Sequence, residues 1–202
     1  MAVHQISPEL LTLERVDEIL KKGLKLELSA ESKSRILKCR EYLDNKMQTQ
    51  KEPIYGVTTG FGSLCNISIS KEQLSQLQKN LVMSHACGVG EEVPQEIVKI
   101  MLLNKIQSLS YGNSGVQLQT VERLIAFFNN DIFPVVYQQG SLGASGDLAP
   151  LAHMCLPLLG LGVVDYKGER ISGEELNKRF SWQPIELQSK EGLALLNGTQ
   201  FM

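Results

Sequence analysis

Apolar residues recur at three- and four-residue intervals through most of the chain, the spacing of one face of an α-helix. Leu13, Val16, Ile19 and Leu20 form the first stripe, with Thr12 placed to cap its start and Gly23 to stop it. A short extended piece, Leu24 to Leu28, follows. Ser29 is placed to cap a second helix with Ile36, Leu37, Cys39 and Leu43 inward, before the charged segment Asp44 to Glu52 leads into a loop around Tyr55. Ser70-Lys-Glu-Gln73 reads as a capping box for a helix through Leu74, Leu77, Leu81 and Val82, which puts Ser84 and His85 near its end. Pro94 suits the first turn of a helix through Ile97, Ile100, Met101 and Leu109 to Gly112, and Val121, Leu124, Ile125 and Phe128 mark the next. From Val163 the period changes, and Val163 to Ile171 predicts a small hairpin turning at Lys167-Gly168. Ser172-Gly-Glu-Glu175 then caps a short helix, and a last helix is predicted from near Ser189 to just past Asn197. The pattern predicts a mainly α chain with a few short strands and no internal repeat.

With 202 residues, 43% of them hydrophobic, the chain is long enough for one sizeable core, and a single domain over residues 1–202 is expected. A formal net charge of −2, with both signs interspersed, gives no broad basic field. That argues against nucleic acid or an anionic membrane as partner and favours a small molecule. No basic region followed by an apolar stretch and a small-residue cleavage site opens the chain, so a cytoplasmic location is expected. Cys39, Cys65, Cys87 and Cys155 show no Cys-x-x-Cys pair, which argues against a zinc or redox motif and predicts free, mostly buried thiols. The apolar run Leu148 to Val164 is short for a membrane span and holds Pro150, His153, Pro157, Gly160 and Gly162, so a buried helix is expected, with His153 structural.

The run Gln139-Gly-Ser-Leu-Gly-Ala-Ser-Gly-Asp-Leu148 carries the candidate chemistry. If the backbone nitrogen of Gly146 attacked the carbonyl carbon of Ala144, and the ring lost water together with the Ser145 hydroxyl, the product would be a methylidene-imidazolone. The two atoms must be pressed inside normal contact distance, which bulky side chains would oppose and Ala144 and Gly146 do not. Three other readings compete. A serine nucleophile on a sharp turn needs Gly-x-Ser-x-Gly, and Asp147 occupies the last position. A phosphate cradle lacks both the dinucleotide pattern and the P-loop Lys. A flexible loop before a helix starting near Asp147 is what a glycine-rich run alone would suggest.

The stretch Gly140-Ser-Leu-Gly-Ala-Ser-Gly-Asp-Leu-Ala-Pro-Leu-Ala-His-Met154 closely resembles the cofactor segment of the aromatic amino acid ammonia-lyases, which act on histidine, tyrosine or phenylalanine. Tyr55-Gly-Val-Thr-Thr-Gly-Phe-Gly62 and Glu191-Gly-Leu-Ala-Leu-Leu-Asn-Gly-Thr-Gln200 resemble two further blocks of that family, in the same order. The resemblance runs from about Thr12 to the last residue. It implies the N-terminal, cofactor-bearing part of the ammonia-lyase (aspartase/fumarase-like) helical fold, truncated before the C-terminal helical region, and a homotetramer in the full-length family.

Carried over by position, the resemblance implies that Ala144, Ser145 and Gly146 form a 4-methylidene-imidazol-5-one, with no metal or diffusible cofactor. Tyr55 becomes the acid/base near the substrate's β-carbon, and Asn197 a hydrogen-bonding residue near cofactor or substrate. The pair Ser84-His85 looks like the histidine-selective version of the substrate-ring pair. L-histidine as substrate and urocanate as product are therefore expected, although Thr58 stands where many histidine enzymes carry Asn. A tyrosine or phenylalanine lyase or an aminomutase is the alternative within the same chemistry, and an inactive fragment kept for binding or assembly the alternative outside it. The chemistry has a physical rationale: such a ring draws the electrons of a poor leaving group into itself while a base takes the weakly acidic β-proton. A tyrosine base, with an ordinary pKa of about 10, needs a site that stabilises its phenolate.

Overall fold

The computed structural model describes residues 2–49, 54, 55, 57, 59, 73–141, 143 and 146–202. Ala144, Ser145, Thr58, Cys65, the start of the Ser70 capping box and most of the glycine-rich stretch after Tyr55 lie outside the described residues.

Strand β1 (Val3–Ile6) and strand β2 (Lys25–Leu28) pair in parallel, joined by helix α1 (Leu13–Lys21). The Thr12 hydroxyl caps α1 by accepting from the Arg15 N–H, as its sequence position predicts. Ile19 is buried, but Leu13 is exposed, because a side chain in the first turn leans back off the helix start. Asn129 completes the open edge of β2: its amide accepts from Leu26 N at 2.7 Å and donates to Leu26 O at 2.9 Å.

Helix α2 (Ala30–Thr49) starts at Ser29, whose hydroxyl accepts from Ser32 N, and runs well into the charged segment that follows its apolar positions. Arg40 pairs with Asp44 one turn on, and charged residues of high helix propensity carry the helix without an apolar stripe. Its buried face is Ser32, Ile36 and Arg40, four residues apart, so Leu37 falls a step outside the stripe and is exposed. Helix α3 (Leu74–His85) ends at the predicted Ser84-His85 pair, and strand β3 (Val89–Glu92) follows.

Helix α4 (Gln95–Ser110) is the central element, packed on α2, on helix α5 (Leu118–Asn129) and on strand β4 (Ile132–Pro134). It is apolar on nearly every side, with Val98, Met101, Leu102, Leu103, Ile106 and Leu109 buried, as a core helix should be. Ile97, expected inward, is exposed in its first turn.

Strand β5 (Tyr137–Gln139) pairs antiparallel with β3 across a bulge. The apolar run after Leu148 is helix α6 (Ala149–Cys155) followed by a single 3-10 turn, Leu156–Leu159. Pro157, which has no N–H to donate, breaks what the sequence suggested as one buried helix. The expected hairpin forms from strands β6 (Val163–Tyr166) and β7 (Glu169–Ser172), with Lys167 and Gly168 both at positive φ in the turn, and β4 adds a third strand against β6. Ser172 caps helix α7 (Gly173–Phe180) by accepting from Glu175 N, and helix α8 (Glu191–Leu196) closes the described chain. Cys155 is buried, but Cys39 is half-buried and Cys87 exposed, so burial of thiols is not the rule expected from their scatter. Among the described residues no helix is long and apolar enough to cross a membrane.

Candidate active site

Two helices present their ends to one cavity. Leu81 and His85 lie one turn apart on α3, and Leu193, Leu196 and Asn197 follow three and four residues apart along α8, so each set shares a helix face. With Tyr55 and Leu148 they line a cavity of about 220 Å³. A larger hollow of about 610 Å³ lies along β1, but it is more open and holds none of the sequence-predicted residues.

The His85 Nδ1 lies 2.8 Å from the Leu81 carbonyl oxygen. A carbonyl only accepts, so Nδ1 carries a proton, and in the neutral form of the ring Nε2 is the acceptor. Ser84 is exposed beside this contact. Its hydroxyl donates to the same carbonyl at 3.2 Å and lies 3.3 Å from Nδ1, so Ser84 meets the site through His85 and does not line the cavity.

Tyr55 occupies a tight turn in which Val57 N donates to Ile54 O at 3.0 Å. Val57 and Thr59 are buried, anchoring that segment, while Tyr55 itself is 60% exposed. Asn197 is the C-cap of α8, with extended backbone angles that end the helix, and its carbonyl accepts from the Lys105 ammonium at 3.1 Å.

The segment around Ala144 and Ser145 is seen through its flanks. Gly146 N donates to Gly143 O at 3.1 Å, and Gly146 holds φ +91°, a region glycine alone enters freely. The Asp147 carboxylate ties both sides together, with Oδ1 accepting from Ser141 N at 2.9 Å and from Ala149 N at 3.0 Å. A Cβ at Gly140 would collide with that carboxylate. Gly143 and Gly146, the described residues on either side of Ala144-Ser145, are thus held within hydrogen-bond distance of each other.

His153 is structural, as expected: its Nε2 accepts from Gly88 N at 3.0 Å, its ring stands edge-on to Tyr137, and burial lowers its pKa, keeping it neutral.

Three polar residues around the site were not singled out from the sequence. Asp147 clamps the turn as described. Glu191 is fully buried and accepts from Gln117 N, Gln117 Nε2, Thr120 Oγ1 and Gln188 N at 2.6–2.8 Å. Lys105 is 1% exposed on α4, and burial pushes its pKa down to about 8. A signal for Lys105 did exist, because it continues the inward spacing of Val98, Met101 and Leu102. Beside it, burial pushes the Cys155 thiol up to about 12, so the thiol stays protonated at neutral pH.

Known proteins share this architecture and sequence. Histidine ammonia-lyase of Symbiobacterium thermophilum is 50% identical over 192 residues, covering 95% of this chain and 38% of the relative. That of Deinococcus radiodurans is 48% identical over 192 residues, covering 95% and 36%. The crystal structure of histidine ammonia-lyase from Trypanosoma cruzi matches with a TM-score of 0.87 at 34% identity, over 100% of this chain and 38% of its own. Tyrosine aminomutase from Streptomyces globisporus matches with a TM-score of 0.89 at 35% identity, over 100% and 37%. The chain thus spans a little over a third of the length of the curated relatives it matches. The sequence profile of the aromatic amino acid lyases covers residues 11–202, and with the mainly helical fold it shares with those structures, the chain belongs to that family.

Proposed function

We propose that this chain is the electrophile-bearing part of a histidine ammonia-lyase, an enzyme that removes ammonia from L-histidine to give urocanate. The observation that carries this reading is the convergence of Tyr55, His85 and Asn197 on one cavity with Leu148, which follows Gly146 by two residues in the sequence. A volume of about 220 Å³ lies below the roughly 300–1,000 Å³ of pockets for drug-sized ligands and suits a single amino acid.

Ala144, Ser145 and Gly146 are the source of a 4-methylidene-imidazol-5-one, and the hydrogen bond from Gly146 N to Gly143 O, with Gly146 at positive φ, supports that reading. That ring supplies an electrophilic carbon for the substrate amine, with no metal or diffusible cofactor. The rest falls to side chains. His85, with its proton held on Nδ1, offers Nε2 as acceptor for the imidazole N–H of histidine, and Ser84 steadies it through the shared Leu81 carbonyl. A phenyl ring has no donor to offer, so phenylalanine would leave this acceptor unpaired. Asn197 supplies an amide to the substrate, and Tyr55 takes the β-proton. On the family resemblance, the assembled enzyme is a cytoplasmic homotetramer.

The tyrosine phenol is also a donor, and the fold shared with a tyrosine aminomutase favours tyrosine as the second reading. Feeding histidine, tyrosine and phenylalanine separately to the enzyme containing this chain, with products identified by mass spectrometry, separates them. Urocanate from histidine is expected. 4-Hydroxycinnamate or β-tyrosine from tyrosine, with histidine untouched, would transfer the assignment, and no product from any of the three would overturn it.

A further inference from the structure

The helix that carries Asn197 is too short to hold itself in place. α8 has six residues, and isolated helices of that length do not persist in water. What surrounds it must therefore set its position. At its start the chain turns through Lys190 in the left-handed region, and the buried Glu191 carboxylate collects its four donors from α5, the residue before α5 and the preceding turn. In its first turn, Gly192 N donates to Gln78 Oε1 of α3 at 2.9 Å, and a Cβ at Gly192 would press on that oxygen. At its end stands Lys105, from the core helix α4, donating to the Asn197 carbonyl at 3.1 Å.

A buried ammonium is expensive to keep, and an apolar side chain of similar length would ordinarily pack there at lower cost. Among the described residues Lys105 makes no ion pair, and its hydrogen bond goes to a backbone carbonyl. Two features favour a cation at that point. A charge-assisted bond is stronger than a neutral one, and the C-terminal end of a helix carries partial negative charge. The carbonyl it grips belongs to Asn197, one of the residues that line the cavity.

We propose that Lys105 is a positioning residue: it fixes the Asn197 carbonyl and thereby sets the Asn197 side chain in the cavity, while Glu191 holds the other end of α8. This rests on the reading of the cavity as a substrate site, and it is tested in two independent ways. Hydrogen exchange on this chain compares the parent with Lys105→Met and Lys105→Arg. In Lys105→Met, amides of Leu195 to Gly198 should exchange at least about tenfold faster while those of α5 and the β6–β7 hairpin keep their rates, and Lys105→Arg should restore much of the protection. Unchanged rates in α8, or a loss spread equally over α4 and α5, would overturn the proposal. If Lys105→Met does not fold, Lys105→Gln, neutral and shorter, is judged by the same criterion, a loss in α8 ahead of α5 supporting the proposal and unchanged rates or a uniform loss overturning it.

The second test is a double-mutant cycle in the enzyme containing this chain, reading kcat and KM for histidine. Lys105→Met should lower kcat/KM about tenfold alone and add nothing in an Asn197→Ala background; independent, multiplying losses would overturn the proposal. If the parent turns over no histidine, the functional reading fails, and the exchange experiment still judges the positioning role.

Discussion

Lys105 and Cys155 make opposing demands on the stability of the fold as pH rises, and their balance can be worked out in advance. Burial lowers the Lys105 pKa from its ordinary 10.5 to about 8. At about 1.4 kcal/mol per tenfold change in proton affinity, the folded state disfavours this ammonium by about 3 kcal/mol. Below about pH 8 the amine is charged in both states and the full penalty stands. Between about 8 and 10.5 the unfolded chain holds a proton that the folded chain has released, so stability rises with pH, and above 10.5 the penalty is gone. Cys155 works the other way. Its pKa is raised from 9.0 to about 12 by burial, so from pH 9 upward the unfolded chain has lost a proton the folded chain keeps, and stability falls. Together they predict a rise between pH 8 and 9, near-cancellation from 9 to 10.5, and a decline beyond.

Urea unfolding followed by the fluorescence of Trp182, the sole tryptophan, reads this directly, because Trp182 is stacked on Phe180 with ring centroids 4.3 Å apart. Subtracting the curve of Lys105→Met removes the other titrating groups, half-buried Lys190 included. The difference should grow in favour of the parent by about 3 kcal/mol between pH 7.5 and 10.5. Parallel curves for parent and variant across that range would refute the assignment of a desolvated amine to Lys105.

Other perturbations have expected outcomes of graded size. Thr12→Ala removes the cap of α1 and should lower stability by about 1 kcal/mol in urea, with no effect on substrate turnover. Glu191→Ala strands four donors in the interior and should cost about 3 kcal/mol or more, seen as a lower denaturation midpoint; a loss under about 1 kcal/mol would show that water replaces the carboxylate freely. Asp147→Ala unties Ser141 from Ala149 and should reduce the fraction of chains that close the ring, measured by intact mass. His85→Phe takes away the acceptor for the imidazole and should lower kcat/KM for histidine by about 1,000-fold or more, with phenylalanine gaining relative to it.

Where an element's signal is local, the sequence carries it. Thr12 and Ser172 cap their helices, Lys167-Gly168 turns its hairpin, and α5 follows its apolar stripe, because each depends on residues within one or two turns. Strands β1, β3 and β5 were not legible: three or four residues give too short an alternation, and β3 is exposed throughout. α2 overran its expected end because charged residues propagate a helix as well as apolar ones do, leaving no stripe to follow. The site residues Tyr55, His85 and Asn197 were named from motif resemblance, and only the folded chain gathers them, since the ends of α3 and α8 meet through tertiary packing. Lys105 shows the converse. Its spacing is consistent with the core although it was not singled out, and what it grips there depends on a carbonyl 92 residues away.

If this chain builds its own electrophile from Ala144, Ser145 and Gly146, the intact mass of the denatured protein records it. Ring closure and dehydration remove two waters. The parent should show that deficit and Ser145→Ala, which lacks the hydroxyl needed to make the methylidene, should not. A parent of full mass would contradict the self-built electrophile.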